Sequence, residues 1–310
     1  MTTAKTGQKV RKIEVSSDRE GQRLDNFIAA QLPGVPRSVI YRVIRKGQVR
    51  VNGGRARPDL RLSLGDEVRI PPARVSPSGA KSVPAQVVQQ LRDALLVEQE
   101  DFVVLDKPAG LAVHGGSGVR WGAIDALRRV FPEEAIELAH RLDRETSGCL
   151  LVARNLKALR QLRAQFKAGT VEKRYFCLTQ APMREDRIVV DEPLLKTERG
   201  GEWMVEVSPQ GKPARTEFRL LEHYGRHSFV EALPATGRTH QIRVHAAQLG
   251  LALAGDAKYG EQQHLKTWRR KGLERLFLHA HGLRFDDPAG DSWQVNAPLP
   301  DELRKVLDAL

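Results

Sequence analysis

The sequence predicts an α+β protein of two domains, and three observations carry the prediction. Near the N-terminus, two segments with helical spacing of apolar residues precede short alternating, strand-like runs. After residue 90, short apolar runs such as Phe102-Val103-Val104-Leu105 and Cys149-Leu150-Leu151-Val152-Ala153 read as strands, with a helix over Leu156–Phe166 among them. Between the two regions lies a stretch rich in proline and serine, the composition of a linker. At 310 residues the chain is long enough for both domains to bury a core.

Composition narrows the function classes. Charged residues are 28% and hydrophobic ones 41%, which is ordinary for a soluble globular protein. No apolar run approaches a membrane span, and the first residues lack the apolar core of a signal peptide. Cys149 and Cys177 both sit in apolar, strand-like runs and read as buried thiols, so a disulfide framework is excluded by count. The expectation is a cytoplasmic protein with no membrane association. The net charge of +12 is uneven: residues 1–80 hold 16 Lys+Arg against 7 Asp+Glu, whereas the rest hold 34 against 31. Localised positive charge attracts a polyanion through Coulomb force and counterion release, while solubility does not require charge to be localised.

Taken in order, residues 1–20 read as a flexible basic tail. Asp25 can cap a helix that buries Phe27, Ile28 and Leu32 and stops at Pro33-Gly34. Pro36 opens a second helix from Arg37 to Lys46, closed by Gly47. Its apolar side is Val39, Ile40, Val43 and Ile44, and Arg42, Arg45 and Lys46 stand on another face. Val49-Arg50-Val51 alternates like a strand, Asn52-Gly53 signals a hairpin turn, and Leu64 to Ile70 supplies a further turn and strand. Arg23-Leu24-Asp25, Arg37-Ser38, Val49-x-Val51-Asn52-Gly53 and Gly65-Asp66-x-Val68 together resemble the αL RNA-binding domain, which a ribosomal small-subunit protein shares with some aminoacyl-tRNA synthetases. The resemblance covers residues 21–72 and implies an RNA partner, with Arg37, Arg42, Arg45 and Lys46 as candidate contacts. Residues 73–90, with Pro77, Gly79, Pro84 and several serines, read as the linker.

Residues 91–310 form the second domain, organised around His140-Arg141-Leu142-Asp143-Arg144-Glu145-Thr146-Ser147-Gly148. This stretch feeds dense charge into the buried run that follows, and a charge at the mouth of a core must be paired or hydrogen-bonded. From the residues alone two readings stand: a structural ion-pair loop with Asp143 held by Arg141 or Arg144, or a catalytic carboxylate kept ionised by an arginine. His140-Arg141-Leu142-Asp143-x-x-Thr146-Ser147-Gly148 resembles the signature of RluA-type pseudouridine synthases. So do Lys107-Pro108-x-Gly110-x-x-Val113-His114, Lys173-x-Tyr175 entering a strand, and Gly237-Arg238-Thr239-His240-Gln241-Ile242-Arg243-Val244-His245, followed by Gly255-Asp256-x-Lys258-Tyr259-Gly260. Gly115-Gly116-Ser117-Gly118 is most similar to the synthase C branch, which modifies large-subunit ribosomal RNA.

The resemblance implies a catalytic domain with a mixed, largely antiparallel sheet flanked by helices. It implies isomerisation of uridine to pseudouridine in large-subunit ribosomal RNA, with no cofactor and no metal. It makes Asp143 the catalytic carboxylate, Tyr175 the aromatic contact of the base, Ile242 its apolar floor and Arg243 the basic partner of Asp143. Arg141 would fill the space of the extruded base, with Thr146 beside the substrate. The Gly237–His240 helix start offers N–H groups as an anion site, and Asp301 can cap the last helix. Nothing demands more than a monomer. Rival readings are weaker. His279 and His281 share one side of a strand, but His240 and His245 have poor metal-ligand spacing and no cysteine pair supports them. Kinase motifs beyond His140-Arg141-Leu142-Asp143 are missing. An RNA N-glycosylase would need paired carboxylates, as most glycosidases do. A non-catalytic ribosome-assembly factor would have no use for Asp143 beside Arg243.

Overall fold

The computed structural model describes residues 10–32, 35, 37–72, 83–115, 119 and 121–310. Contacts divide the chain into two units, Met1–Ser82 and Val83–Leu310.

The first unit runs β1 (Arg11–Glu14), α1 (Leu24–Gln31), α2 (Arg37–Arg45), β2 (Arg50–Val51), β3 (Gly54–Arg55) and β4 (Glu67–Ile70). Its sheet has the order β1-β4-β2-β3, antiparallel throughout. Asn52 (φ 50°) and Gly53 (φ 77°) are both left-handed, as a two-residue type I′ hairpin requires. The apolar faces of α1 and α2 meet the sheet through Leu24, Phe27, Ile28, Ile40, Ile44, Val68 and Ile70. Two expectations are corrected here. Part of the supposed tail is a strand, since Arg11–Glu14 pairs along β4 from Ile70 to Glu67. Asp25 is not the helix cap; Arg23 is, and Asp25 is buried in the first turn. Its carboxylate accepts from Arg23 (2.8 Å), the Tyr41 hydroxyl (2.9 Å) and the Asn26 N–H (2.9 Å). Burial favours the neutral acid, but those bonds outweigh it and lower the pKa. The helix stop at Pro33-Gly34, the opening at Pro36, the side chain of Arg37 and residues 1–9 and 73–82 lie outside the described residues.

The second unit runs α3 (Ala85–Asp93), β5 (Leu95–Glu98), β6 (Phe102–Lys107), α4 (Ala123–Val130), β7 (Glu137–Leu138), β8 (Ser147–Ala153), α5 (Leu156–Ala168), β9 (Glu172–Thr179), β10 (Arg187–Asp191), β11 (Leu194–Arg199), β12 (Glu202–Val207), β13 (Arg215–Tyr224), β14 (His227–Pro234), α6 (Gln241–Gln248), α7 (Gln262–Arg270), β15 (Leu278–Asp286), β16 (Ser292–Asn296) and α8 (Asp301–Asp308). The linker expectation therefore fails from Ala85 onward, where α3 forms.

The main sheet has the order β10-β13-β14-β9-β15-β8-β6-β5, with β16 beside β15 and β7 beside β8. Every pairing is antiparallel except β15 with β8, so the sheet is mixed and largely antiparallel, as expected. Both faces are covered near β6 and β8. Val103, Leu105, Leu150 and Val152 pack with Leu91 of α3 and Leu127 of α4, while Phe102, Val104, Cys149 and Leu151 pack with Leu159 and Leu162 of α5. That is why β8 reads as an unbroken apolar run rather than an alternating one. The parallel joint is short, His279 with Ser147 and Ala280 with Gly148. Gly148 has φ 107°, and a Cβ there would lie 2.2 Å from the Ala280 carbonyl oxygen, so only glycine fits. At the C-terminus Pro300 is the cap of α8, and Asp301 sits in its first turn instead. Both cysteines are buried and free. Among the described residues no helix is long and apolar enough to cross a membrane.

Candidate active site

A cleft of about 980 Å³ in the second unit is lined by Arg141, Asp143, Thr146, Tyr175, Ile242 and Arg243. Residues from three separate motifs are thus brought to one place: the loop before β8, the strand β9 and the first turn of α6.

The loop that carries Asp143 is built on Lys107, whose side chain is fully buried at the end of β6. Its Nζ donates to the carbonyls of Pro108 (2.8 Å), Leu111 (2.9 Å) and Arg144 (3.2 Å). Gly110 N–H donates to Arg144 O (2.8 Å), and Arg144 Nε returns a bond to Gly110 O (2.9 Å). The Lys107-Pro108-x-Gly110 motif is therefore the foundation of the Asp143 loop. Burial lowers the Lys107 pKa to about 7, with the charge of Glu145 opposing. On the other side, His140 Nε2 accepts the Leu151 N–H (3.0 Å) and its ring stacks on Phe166 at 4.6 Å. Burial, helped by Lys173, pushes the His140 pKa down to about 3, so this imidazole is a neutral structural acceptor.

Asp143 itself is half-buried, its side chain 33% exposed, and its nearest ionic contact among the described residues is His240 Nε2 at 3.9 Å. Arg144 does not hold it; that guanidinium is taken by Gly110 and lies 3.6 Å from Glu145. Arg141 is exposed at the cleft and Thr146 is buried beside it, only 2% exposed. Tyr175 stands opposite Ala232 of β14 in the sheet. Burial and then the charge of Asp143 raise its phenol pKa, which keeps it a neutral aromatic wall. Ile242 is buried at the start of α6.

Arg243 corrects an expectation. Its hydrogen bonds go not to Asp143 but to Asp256, Nε to Oδ2 at 2.8 Å and Nη2 to Oδ1 at 2.7 Å. The partner is 13 residues on in sequence, within Gly255-Asp256-x-Lys258-Tyr259-Gly260. Burial works against the guanidinium charge, but Asp256, then the charge of Asp143, outweigh it and raise the pKa. The link to Asp143 is electrostatic. At the Gly237–His240 helix start, α6 begins after a left-handed His240 (φ 55°), and the Arg238 N–H is taken by Gln241 Oε1 at 3.0 Å. His279 bonds Ser147 Oγ (2.9 Å), and His281 bonds Glu231 (2.9 Å) while stacking on Phe176 at 3.5 Å.

Other residues at the site had no role read from sequence. Lys173 donates to Thr236 O (3.0 Å), and burial lowers its pKa to about 8. Lys196 of β11 lines the cleft and lies 4.1 Å over the ring of Trp203, which is 54% exposed. The Gly200-Gly201 pair between two alternating runs is the signal that would have located this hairpin. In the first unit, Arg42, Arg45 and Lys46 are exposed at the end of α2, with Arg45 6.0 Å from the Tyr41 ring.

Comparison with known proteins agrees with this geometry. Residues 101–248 match the RNA pseudouridylate synthase family, and residues 22–68 match the S4 domain. The ribosomal large subunit pseudouridine synthase C of Pasteurella multocida (strain Pm70) is 47% identical over 98% of this chain and 94% of its own length. The protein of the same name from Vibrio vulnificus (strain CMCP6) is 45% identical over 97% of both. Among solved structures, human RNA Pseudouridylate Synthase Domain Containing 4 superposes with a TM-score of 0.59 at 27% identity, over 72% of this chain and 95% of that one. With relatives this similar along nearly the whole chain, the protein belongs to the RNA pseudouridine synthase family, as an enzyme that carries an S4 domain ahead of its catalytic unit.

Proposed function

We propose that the enzyme isomerises uridines of large-subunit ribosomal RNA to pseudouridine, with Asp143 as the catalytic carboxylate. The observation that carries the reading is an aspartate one third exposed, with no ionic partner closer than 3.9 Å among the described residues, in a cleft walled by an aromatic ring and an aliphatic side chain. Asp143 acts on the ribose, as nucleophile or as base, while the glycosidic bond breaks. Tyr175 and Ile242 hold the detached uracil as it turns to present carbon 5, and exclude water that would hydrolyse the intermediate. The guanidinium of Arg243 places positive charge within electrostatic reach of Asp143. Arg141 occupies the space of the extruded base, with Thr146 at the edge of the bound nucleotide. The full-length likeness to relatives named for the large ribosomal subunit supports the substrate class. The S4 domain, where Arg37, Arg42, Arg45 and Lys46 lie, delivers the RNA. The enzyme works as a cytoplasmic monomer.

The test uses RNA transcripts tritiated at uridine carbon 5, drawn from large-subunit RNA, small-subunit RNA and transfer RNA. Tritium release from large-subunit RNA by the wild type, and none by Asp143→Asn, is expected. Release by Asp143→Asn at the wild-type rate overturns the catalytic assignment. Preference for one of the other RNAs overturns the substrate.

A further inference from the structure

His240 lines the cleft but has no part in the reading so far, and several features converge on it. It is one of two non-glycine residues with positive φ among the described residues, a backbone state uncommon for residues with a side chain. Its Nδ1 lies 2.7 Å from the Tyr259 hydroxyl, and the two rings meet edge-on at 5.5 Å. That hydroxyl accepts the Val205 N–H at 3.1 Å, and its own hydrogen is available to be donated to Nδ1. A neutral imidazole that accepts at Nδ1 carries its proton on Nε2. Burial lowers the His240 pKa, against the charge of Asp143, so the neutral ring is favoured at neutral pH. Nε2 is the atom that faces Asp143 Oδ2, at 3.9 Å. Tyr259 is fixed in turn, its N–H bonded to Asp256 (3.0 Å) and its ring under the Arg243 guanidinium at 5.0 Å.

We propose that His240 is a positioning residue for Asp143: Tyr259 sets the imidazole in its Nε2–H form, and that N–H orients the carboxylate toward the ribose. The inference rests on Asp143 being the catalytic carboxylate. The separation closes to a hydrogen bond with a small swing of a half-exposed side chain, as catalytic contacts tighten when substrate binds.

Two substitutions separate positioning from backbone tolerance. Asparagine accepts a left-handed backbone easily but its amide reaches only the place of Nδ1. Glutamine fits that backbone less well, yet its amide N–H reaches the place of Nε2. Single-turnover rates with saturating RNA should fall about 100-fold in His240→Asn and by less than about tenfold in His240→Gln. RNA affinity and thermal midpoint should stay near wild type in both. Tyr259→Phe, which frees the imidazole, should fall about tenfold in rate with affinity unchanged. Equal rates in the two His240 variants, or a faster asparagine variant, overturn the proposal. Asp143→Asn run alongside keeps the two readings apart. If it stays active, the assignment of Asp143 fails; if it is dead while His240→Asn matches wild type, only the role of His240 fails.

Discussion

Two carboxylates act on the charge of Arg243, and they are in opposite states. Asp256 is 1% exposed, and its oxygens accept two bonds from Arg243 and the N–H groups of Lys258 (2.9 Å) and Tyr259 (3.0 Å). Burial would favour its neutral form, but Arg243 holds its pKa below the usual carboxylate value. Asp143 is a third exposed, with no ionic partner closer than 3.9 Å among the described residues. A saturated carboxylate is a building element, because its lone pairs are spent and its charge is matched. A carboxylate with unused hydrogen-bonding capacity, in the field of a charge it does not touch, is available for chemistry.

The sharpest way to break this contrast is to neutralise each in turn. Asp143→Asn should reduce the single-turnover rate roughly 10³-fold or more while changing stability by only about 0.5 kcal/mol. Asp256→Asn leaves Arg243 buried without a counter-charge and should cost about 3–5 kcal/mol in urea unfolding. If the rate loss belongs to Asp256 and the stability loss to Asp143, the assignment is inverted.

Arg243→Ala should resemble Asp256→Asn, with a loss of about 3–5 kcal/mol, since it strands the other member of the pair. Arg243→Lys keeps the charge but loses the fork, and a loss of about 1–2 kcal/mol in the same urea titration is expected. A wild-type Arg243→Ala enzyme would show that neither carboxylate depends on it. Beneath the Asp143 loop, Lys107→Met removes the donor from three carbonyls and should cost about 2–3 kcal/mol, with a rate loss that accompanies the loosened loop.

His140 sharpens the comparison through pH. Between pH 6.5 and about 3 the unfolded chain takes up a proton that the buried ring refuses. Stability is thus lost as pH falls through that window, by up to about 1.4 kcal/mol per unit for this group. His140→Gln should make the decline of thermal midpoint with falling pH shallower; an unchanged slope would mean the ring is not held neutral. The smallest effect on chemistry is expected from Arg42→Ala, Arg45→Ala and Lys46→Ala together. Saturated rates should stay near wild type, and the salt slope of RNA binding should flatten by roughly one unit for each phosphate these side chains neutralise.

Local signals were legible in the sequence and long-range partners were not. Asn52-Gly53 announces its turn, and Cys149 to Ala153 announces a core strand, because the determinants lie within the segment. Arg11-Lys12-Ile13-Glu14 carries one apolar residue, so its strand exists only through pairing with β4. The helix from Ala85 was hidden by the proline and serine stretch that precedes it. At the site, it was the resemblance of three motifs to one family, not their residue types alone, that pointed to Asp143, Tyr175, Ile242 and Arg243, and the structure brings them to one cleft. Which carboxylate Arg243 would bond was not readable, because both lie near it in space and a motif does not encode a side-chain direction. Tyr259 was visible as part of a pattern, but its bond to His240 depends on a left-handed residue that no local pattern announces.

The parallel joint between β8 and β15 divides the catalytic parts between two rafts of strands. Asp143 enters from the β8 side, whereas Tyr175 belongs to β9, beyond β15, and α6 with His240 and Arg243 packs on β13 and β14. Among the described residues the β-ladder between the rafts has two residue pairs, and the approach of Gly148 to the Ala280 carbonyl sets the gap at that stitch. A single methyl group at position 148 would act as a wedge. It would spread the jaws of the active site from a point that touches neither the base nor the ribose, and alter the reach of Asp143 without changing any residue that lines the cleft.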